Sequence, residues 1–426
     1  MHLSVIILCC GLRSFLEWRG MTNNKKMPDS TREKKLEIIS QHIATNKYLS
    51  IFALLAFEDD VQFSLDDLQL VRDHFEITNL DTLRTYIRDP HLKIVSSMKN
   101  LQKLSLSGDM RYEPRFTVQG LRYLTQMQNL TSLLCHGLNL TDDMIQQITQ
   151  IPALQNFTYM GKPLTTHQLN LLQQATKLNF ISLIDLESEK LPLDLNHIVA
   201  LPNLTQVHLC GYELALAENT TLIQELHLEC CRFSSNILSL FPKLHHFKIR
   251  NCNVKGLFDF QLATNLKSIS VSDQTLTQKE IRDILQLTSL EALDLVGQIA
   301  AAEIQNINKL VHLKSVNLSH SVSINDVIDF LPKNIEHLDA SFAKIHHSTV
   351  EKLCTFPKLR CLAFRCSSIC RDDLLRLVAL DNLHEIDLTH TQVNQTEMST
   401  ALLHELQILS KNCKLTCENF VDFEEW

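Results

Sequence analysis

The sequence predicts an α/β solenoid, with parallel strands on a concave inner wall, short helices on the convex outside and an α-helical N-terminal cap. Three observations predict it. A phrase of the form Leu-x-x-Leu-x-Leu recurs along the chain, most clearly at Leu101-x-x-Leu104-x-Leu106, Leu290-x-x-Leu293-x-Leu295 and Leu383-x-x-Ile386-x-Leu388. Looser copies begin at Leu130, Leu154, Leu178, Leu204, Ile223, Leu244, Leu266, Leu313, Ile335 and Leu359, making thirteen. Neighbouring copies start mostly 21 to 26 residues apart, with extremes of 29 (Leu101 to Leu130) and 19 (Leu204 to Ile223). A unit of this length cannot bury its own apolar edge, so copies must stack on one another.

Each unit reads as strand, turn and helix. In Leu290-Glu-Ala-Leu293-Asp-Leu295 the leucines alternate with Asp294, the period of a strand with one face buried. Helix starts follow the phrases. Thr277 and Glu280 fit a capping box before Ile281, and Ser348 with Glu351 fits another before Leu353. Thr141 and Thr165 stand as caps before Ile145 and Leu169.

The phrase and its spacing resemble the leucine-rich-repeat family, over residues 98–409. The resemblance implies a stack of about 13 units with its binding surface on the inner wall. The chain departs from the family at the ninth position, where Asn or Cys is usual. Cys231 and Cys252 fit, but Leu138, Tyr212, Gln274, Gln298, Ser321, Ala343, Ser367 and Thr391 do not. No asparagine ladder is expected at that position, and an uneven, helix-rich solenoid is.

Composition narrows the function. The chain has 426 residues, 45% of them hydrophobic, enough for a long continuous core. A net charge of −8 lacks the basic footprint of a nucleic-acid binder. The 13 cysteines show no pairing pattern and no zinc-ribbon spacing, which fits reduced structural thiols in a cytosol. Asn-x-Ser/Thr triplets occur at Asn129, Asn139, Asn156, Asn203, Asn219, Asn317 and Asn394. Chance in an Asn- and Thr-rich chain accounts for them better than glycosylation.

The ends differ from the middle. Leu3 to Leu12 is apolar but too short to span a bilayer, and residues 1–30 are expected to be disordered or to precede a true start at Met21. Residues 31–97 read as the helical cap, with Leu36, Ile39 and Ile43, then Leu65, Leu68, Val71 and Phe75, at helical spacing after a cap at Ser64. The apolar run from Leu49 to Phe57 is expected to be buried. A cap here is also where an F-box-like adaptor would sit, although the usual Leu-Pro opening is absent. Residues 410–426 form a C-terminal cap and an acidic tail, Glu418 to Trp426. That tail is similar to those of bacterial effectors delivered by type IV secretion, especially Legionella ones, sets that include leucine-rich-repeat proteins. The resemblance implies virulence-related action in host cytosol.

The inner wall carries the candidate site. Strands in such a sheet lie about 4.8 Å apart, so the third, fifth and seventh phrase positions form outward columns. Leu134, Met160, Phe180 and Ile184 are expected to make an apolar patch. His208, His227, His246, Lys248 and Arg250, with Glu225 and Glu229, make a cation-rich centre. Asp294, Asp339 and Asp387 make an acidic end, with Glu385 beside the last. Apolar anchors and charges in this order suit a protein partner. His208 and His227 with Glu229 or His246 could hold a metal, but neutral neighbouring imidazoles are commoner, and no metal or other cofactor is expected.

Catalytic motifs do not emerge: there is no Gly-rich phosphate loop, Gly-x-Ser-x-Gly elbow or His-Glu-x-x-His. Cys361 and His337, one strand apart in a column, could imitate a dyad. The sequence therefore points to a monomeric, cytoplasmic or host-cytosolic, non-enzymatic binder of a protein, with no nucleic-acid or membrane partner. A ubiquitin-ligase substrate receptor is the alternative, and a cysteine-dependent enzyme a third reading.

Overall fold

The computed structural model describes residues 40, 47–50, 65–82, 87–108, 115–187, 192–215, 222–252, 254, 256–273, 276–296, 305–320, 324–391 and 413–416. Among these, eighteen strands occur in chain order: β1 Tyr48–Ser50, β2 Asn79–Asp81, β3 Lys103–Ser107, β4 Ser132–His136, β5 Asn156–Gly161, β6 Phe180–Asp185, β7 Pro192–Asp194, β8 Gln206–Cys210, β9 Glu213–Ala215, β10 Glu225–Glu229, β11 His246–Arg250, β12 Ser268–Ser272, β13 Ala292–Leu295, β14 Ser315–Asn317, β15 His337–Asp339, β16 Cys361–Ala363, β17 Glu385–Asp387 and β18 Lys414–Thr416. All but β7 and β9 form one parallel sheet in sequence order, and β7 pairs with β9 separately. Strands that meet their sequence neighbours in parallel at every step define a solenoid.

The phrase leucines make the core. Leu226, Phe247, Ile269, Leu293 and Val316 pair in register on successive strands and are at most 2% exposed. Apart from Leu70, Met160 and Ile184, the buried apolar residues from Leu49 to Cys413 belong to one continuous cluster.

The sheet outruns the phrases at both ends. Within the stretch expected to be purely helical, β1 pairs with β2, and β2 with β3. Each spans three residues and points one leucine inward, Leu49 or Leu80, too little alternation to register as a strand in the sequence. Helix α1, Leu65–His74, follows the expected spacing, and α2, Asp89–Val95, follows β2. At the other end β18 pairs with β17 beyond residue 409. The expectations for residues 1–30, Ile51–Phe57, Ser64 and the acidic tail lie outside the described residues.

Repeat length decides what forms on the convex side. Helices α3 Val118–Leu124, α4 Asp142–Thr149, α5 Thr166–Leu172, α6 Leu195–Val199, α7 Gln278–Ile284, α9 His347–Leu353 and α10 Arg371–Val378 all fall in units of 24 residues or more. Units starting at Ile223, Leu244 and Leu290 are 21, 22 and 23 residues long and carry 3-10 turns at Leu238–Leu240, Phe260–Leu262 and Gln305–Lys309. The 22-residue unit from Leu313 has only the four-residue α8, Ile324–Val327, and another 3-10 turn. Strand and turns take a similar share of every unit, so the shortfall falls on the outer arm, where the 3-10 helix is the usual short substitute. The expectation of a helix in every unit is corrected accordingly.

The caps form at Thr141, Thr165 and Thr277, the last two as complete capping boxes with Gln168 and Glu280. The box expected at Ser348 does not form, because α9 starts two residues earlier, with His346 at the cap position. Thr349 is instead bonded to Asn325 of the preceding unit.

Two ladders join the units. Asn129, Asn203, Asn265, Asn334 and Asn382, each directly before a phrase, donate side-chain N–H to carbonyls of the preceding unit at 2.6–3.0 Å. The asparagines missing from the ninth position thus act at the opposite end of the strand, and the side chains of Asn129 and Asn203 are engaged there. At the ninth position Cys231 and Cys252 are fully buried, and their thiols donate to backbone carbonyls. Ser367 does the same work, accepting from Ala343 N and donating to Ala340 O.

Candidate concave binding face

The parallel register turns the fifth phrase position into one column. Leu134, Thr158, Ser182, His208, His227, Lys248, Ser270, Asp294, Asn317, Asp339, Ala363 and Asp387 occupy it on consecutive strands from β4 to β17. Their neighbours along each strand point into the core, so the column looks the other way.

The apolar end differs from expectation. Met160 and Ile184 pair across β5 and β6 but are only 3% and 5% exposed, and they stand outside the main core. Met160 is flanked in register by His136 and Ile184, and Ile184 by Met160 and Cys210. Leu134 and Phe180 are half-buried, in different columns and two strands apart. The four do not make one exposed patch.

The centre is built as a braced cluster. His208 is buried, bonded through Nδ1 to Ser182 Oγ at 2.9 Å and stacked on His227 with ring centres 4.2 Å apart and planes 8° from parallel. Lys248 follows His227 in the column, with His246 and Arg250 on the same strand. Arg250 is held between Glu229 at 3.5 Å and Asp273 at 2.9 Å. Ligand atoms of His208, His227 and Glu229 lie within 4.8 Å of one another. Imidazole lone pairs lie in the ring plane, so two parallel stacked rings do not aim them at a common point. Lys248 next door and Arg250 on Glu229 also oppose a cation, and the cluster fits stacked imidazoles better than metal ligands.

The acidic end separates into two kinds of carboxylate. Asp339 and Asp387 each accept the backbone N–H two residues on, from Ser341 and Thr389, at 2.9 Å. Asn317 does the same with Ser319. These are Asx turns that close the strand end. Asp387 also accepts from Arg365 Nε at 2.5 Å; burial works against its charge, but the Thr389 and Arg365 bonds hold its carboxyl below the usual range. Asp294 is different. Its Oδ2 accepts from Ser270 Oγ at 2.9 Å, while Oδ1 is buried and accepts no hydrogen bond among the described residues. Burial pushes its carboxyl up, and Asp339 adds to this against Ser270 and Lys248. Lys248, Asp294, Asp339 and Asp387 all line one open groove of about 550 Å³.

Cys361 and His337 are paired in register on β16 and β15. The thiol is pushed up by burial, with Glu385 adding to it, the opposite of an activated nucleophile.

The sequence reading missed the eighth position. There the chain turns with positive φ at Gly137 and Gly211, but also at Cys230, Asn251, Asp273, His320, Phe342, Cys366 and His390. Phe342 is 51% exposed and stacks on His320 with ring centres 3.6 Å apart. A bulky residue in the left-handed region is uncommon. The repeat phase, counted two residues beyond the last leucine, would have located it.

No protein-family model and no curated protein matches the chain. Solved structures do. TLR13, in a structure of its complex with ssRNA13, shares 16% identity at a TM-score of 0.52, covering 76% of this chain and 47% of that one. An internalin, InlF of Listeria monocytogenes, shares 15% identity at a TM-score of 0.45, covering 84% and 94%. A Leptospira interrogans leucine-rich-repeat protein shares 18% at a TM-score of 0.41, covering 84% and 99%. The chain has the α/β leucine-rich-repeat fold. Among the described residues no helix is long and apolar enough to cross a membrane.

Proposed function

We propose that the protein binds a protein partner along its concave face, by preformed shape and charge, and that it is a bacterial effector acting in host cytosol. One observation carries the first part: a column of side chains facing away from the core, unbroken across the strands, that passes from histidine and lysine to carboxylates. Charges in fixed order set the register of a partner, and apolar contact from the half-buried Leu134 and Phe180 adds affinity. The acidic stretch from Glu418 to Trp426 supports the second part by its likeness to effector tails.

A photoreactive phenylalanine at Ser270, in the column, is expected to give discrete crosslinks in host cytosol that excess unlabelled protein removes. The same group at Arg282, on α7, is expected to give none. Equal crosslinking at both positions, or none at Ser270, would remove the concave-face reading. A translocation reporter fused to residues 400–426 is expected to enter host cells in a secretion-dependent way; no delivery would count against the effector role.

A further inference from the structure

We infer that the groove reads a charge pattern on an extended peptide segment of its partner: an acidic side chain at Lys248, then basic side chains at Asp294 and Asp339, spaced three residues apart. This rests on the concave face being the binding surface, and adds what the bound segment must carry.

The spacing comes from the fold. Lys248, Asp294 and Asp339 lie on β11, β13 and β15, every second strand of one column, with Ser270 and Asn317 between them. Two strand spacings are about 9.5 Å. A polyproline II segment rises about 3.1 Å per residue with three residues per turn. Its residues i, i+3 and i+6 therefore share one face about 9.3 Å apart, close to the spacing of the charges below. A β-conformation segment places same-face residues about 6.7 Å apart and drifts out of step. The intervening column residues are short polar ones, so the three charged positions offer the longest reach.

The charges are open to such a segment in different degrees. Among the described residues Lys248 is in no ion pair within 4 Å, although its charge acts on Asp294. Asp339 spends one oxygen on its own turn, at Ser341. Asp294 serves no turn, and its buried Oδ1 faces no donor among the described residues. Burial raises its carboxyl by more than Ser270 and Lys248 offset, and a partner's ammonium or guanidinium would add further opposing charge. Asp387 would be the next step of the lattice, but Arg365 already occupies it. The pattern therefore ends at Asp339, and the recognised segment is about seven residues long, acidic-x-x-basic-x-x-basic in one chain direction or the other.

The test is selection of random peptides on the immobilised full chain. Enriched sequences are expected to carry one acidic and two basic residues at three-residue intervals. Lys248→Glu is expected to exchange the acidic preference for a basic one. Asp294→Asn is expected to abolish the middle basic preference and weaken the best wild-type peptide about tenfold. The same variant reports on the free protein. A carboxyl whose folded pKa lies above its ordinary 3.8 costs stability as pH rises through that range, so Asp294→Asn should raise Tm at pH 7 and not below pH 3.8. A merely structural carboxylate would lose stability instead. Bound peptides without the charge spacing, or selections unchanged by Lys248→Glu and Asp294→Asn, would overturn the inference while leaving concave-face binding in place. Absence of any selected peptide together with positive crosslinking at Ser270 would do the same; absence of both would remove the parent reading as well.

Discussion

Phe247→Ala is expected to cost about 3–5 kcal/mol of stability, read from the denaturant midpoint. Phe247 is 1% exposed on β11, with its ring centre 5.6 Å from that of Phe258 and 6.5 Å from that of Phe260. Phe233 meets Phe258 edge-on at 5.9 Å. These four rings belong to the two units, from Ile223 and Leu244, whose outer arms are too short for an α-helix. Large side chains thus fill the volume that helices fill elsewhere. Deleting one leaves a cavity that 3-10 turns on either side have little length to close. A repeat stack is held by neighbour contacts alone, so damage in the middle divides it. Hydrogen exchange should show protection falling first across β10 to β12. A loss under about 1 kcal/mol would mean that the aromatic cluster is not what holds these short units.

The same four phenylalanines show what the sequence made legible and what it did not. The strands were readable wherever the phrase was complete, because two inward residues around an outward one fix the pleat and the unit length fixes the stacking. The columns of the site followed, since a parallel register carries phrase positions into spatial rows. Leu49 and Leu80 gave no such signal, each being the one inward residue of a three-residue strand. The 21- and 22-residue spacings whose outer arms carry 3-10 turns were visible, but their consequence depends on how many residues strand and turns consume. The site was legible as charge order and illegible as chemistry. Nothing in the spacing separates Asp387, clamped by Arg365 of the preceding unit, from Asp294, which among the described residues accepts from Ser270 alone. Nor does it reveal that Met160 and Ile184 are buried. Those facts depend on the neighbouring strand, not on the unit itself.

Glu280→Ala should be the other severe substitution, at about 2–5 kcal/mol, because it strips acceptors from buried donors. Glu280 is 1% exposed, yet it is a carboxylate. Its Oε2 accepts from Thr277 N at 2.7 Å and Thr277 Oγ1 at 2.8 Å, closing the box at the start of α7. Its Oε1 accepts from Phe258 N at 3.1 Å, in the preceding unit. Three donors and the helix N-terminus together make a buried charge tolerable. The side chain therefore clamps a helix-bearing unit onto a short one that has no helix of its own to contribute, and Gln261 with Asp283 at 3.0 Å is a second tie across the same joint. Alanine leaves the N–H groups of Phe258 and Thr277 without their acceptor. Glutamine keeps one oxygen, so it should satisfy one side of the joint and turn its amide N–H₂ on the other, giving an intermediate loss. The order wild type, Glu280→Gln, Glu280→Ala in urea midpoint at pH 7 is the expected result, and equal midpoints for glutamine and alanine would show that the two-sided acceptor is not the cause. Combined with Phe247→Ala, the loss should fall short of the sum, because both changes loosen the unit from Leu244, through its Phe258, and the second finds that unit already loosened.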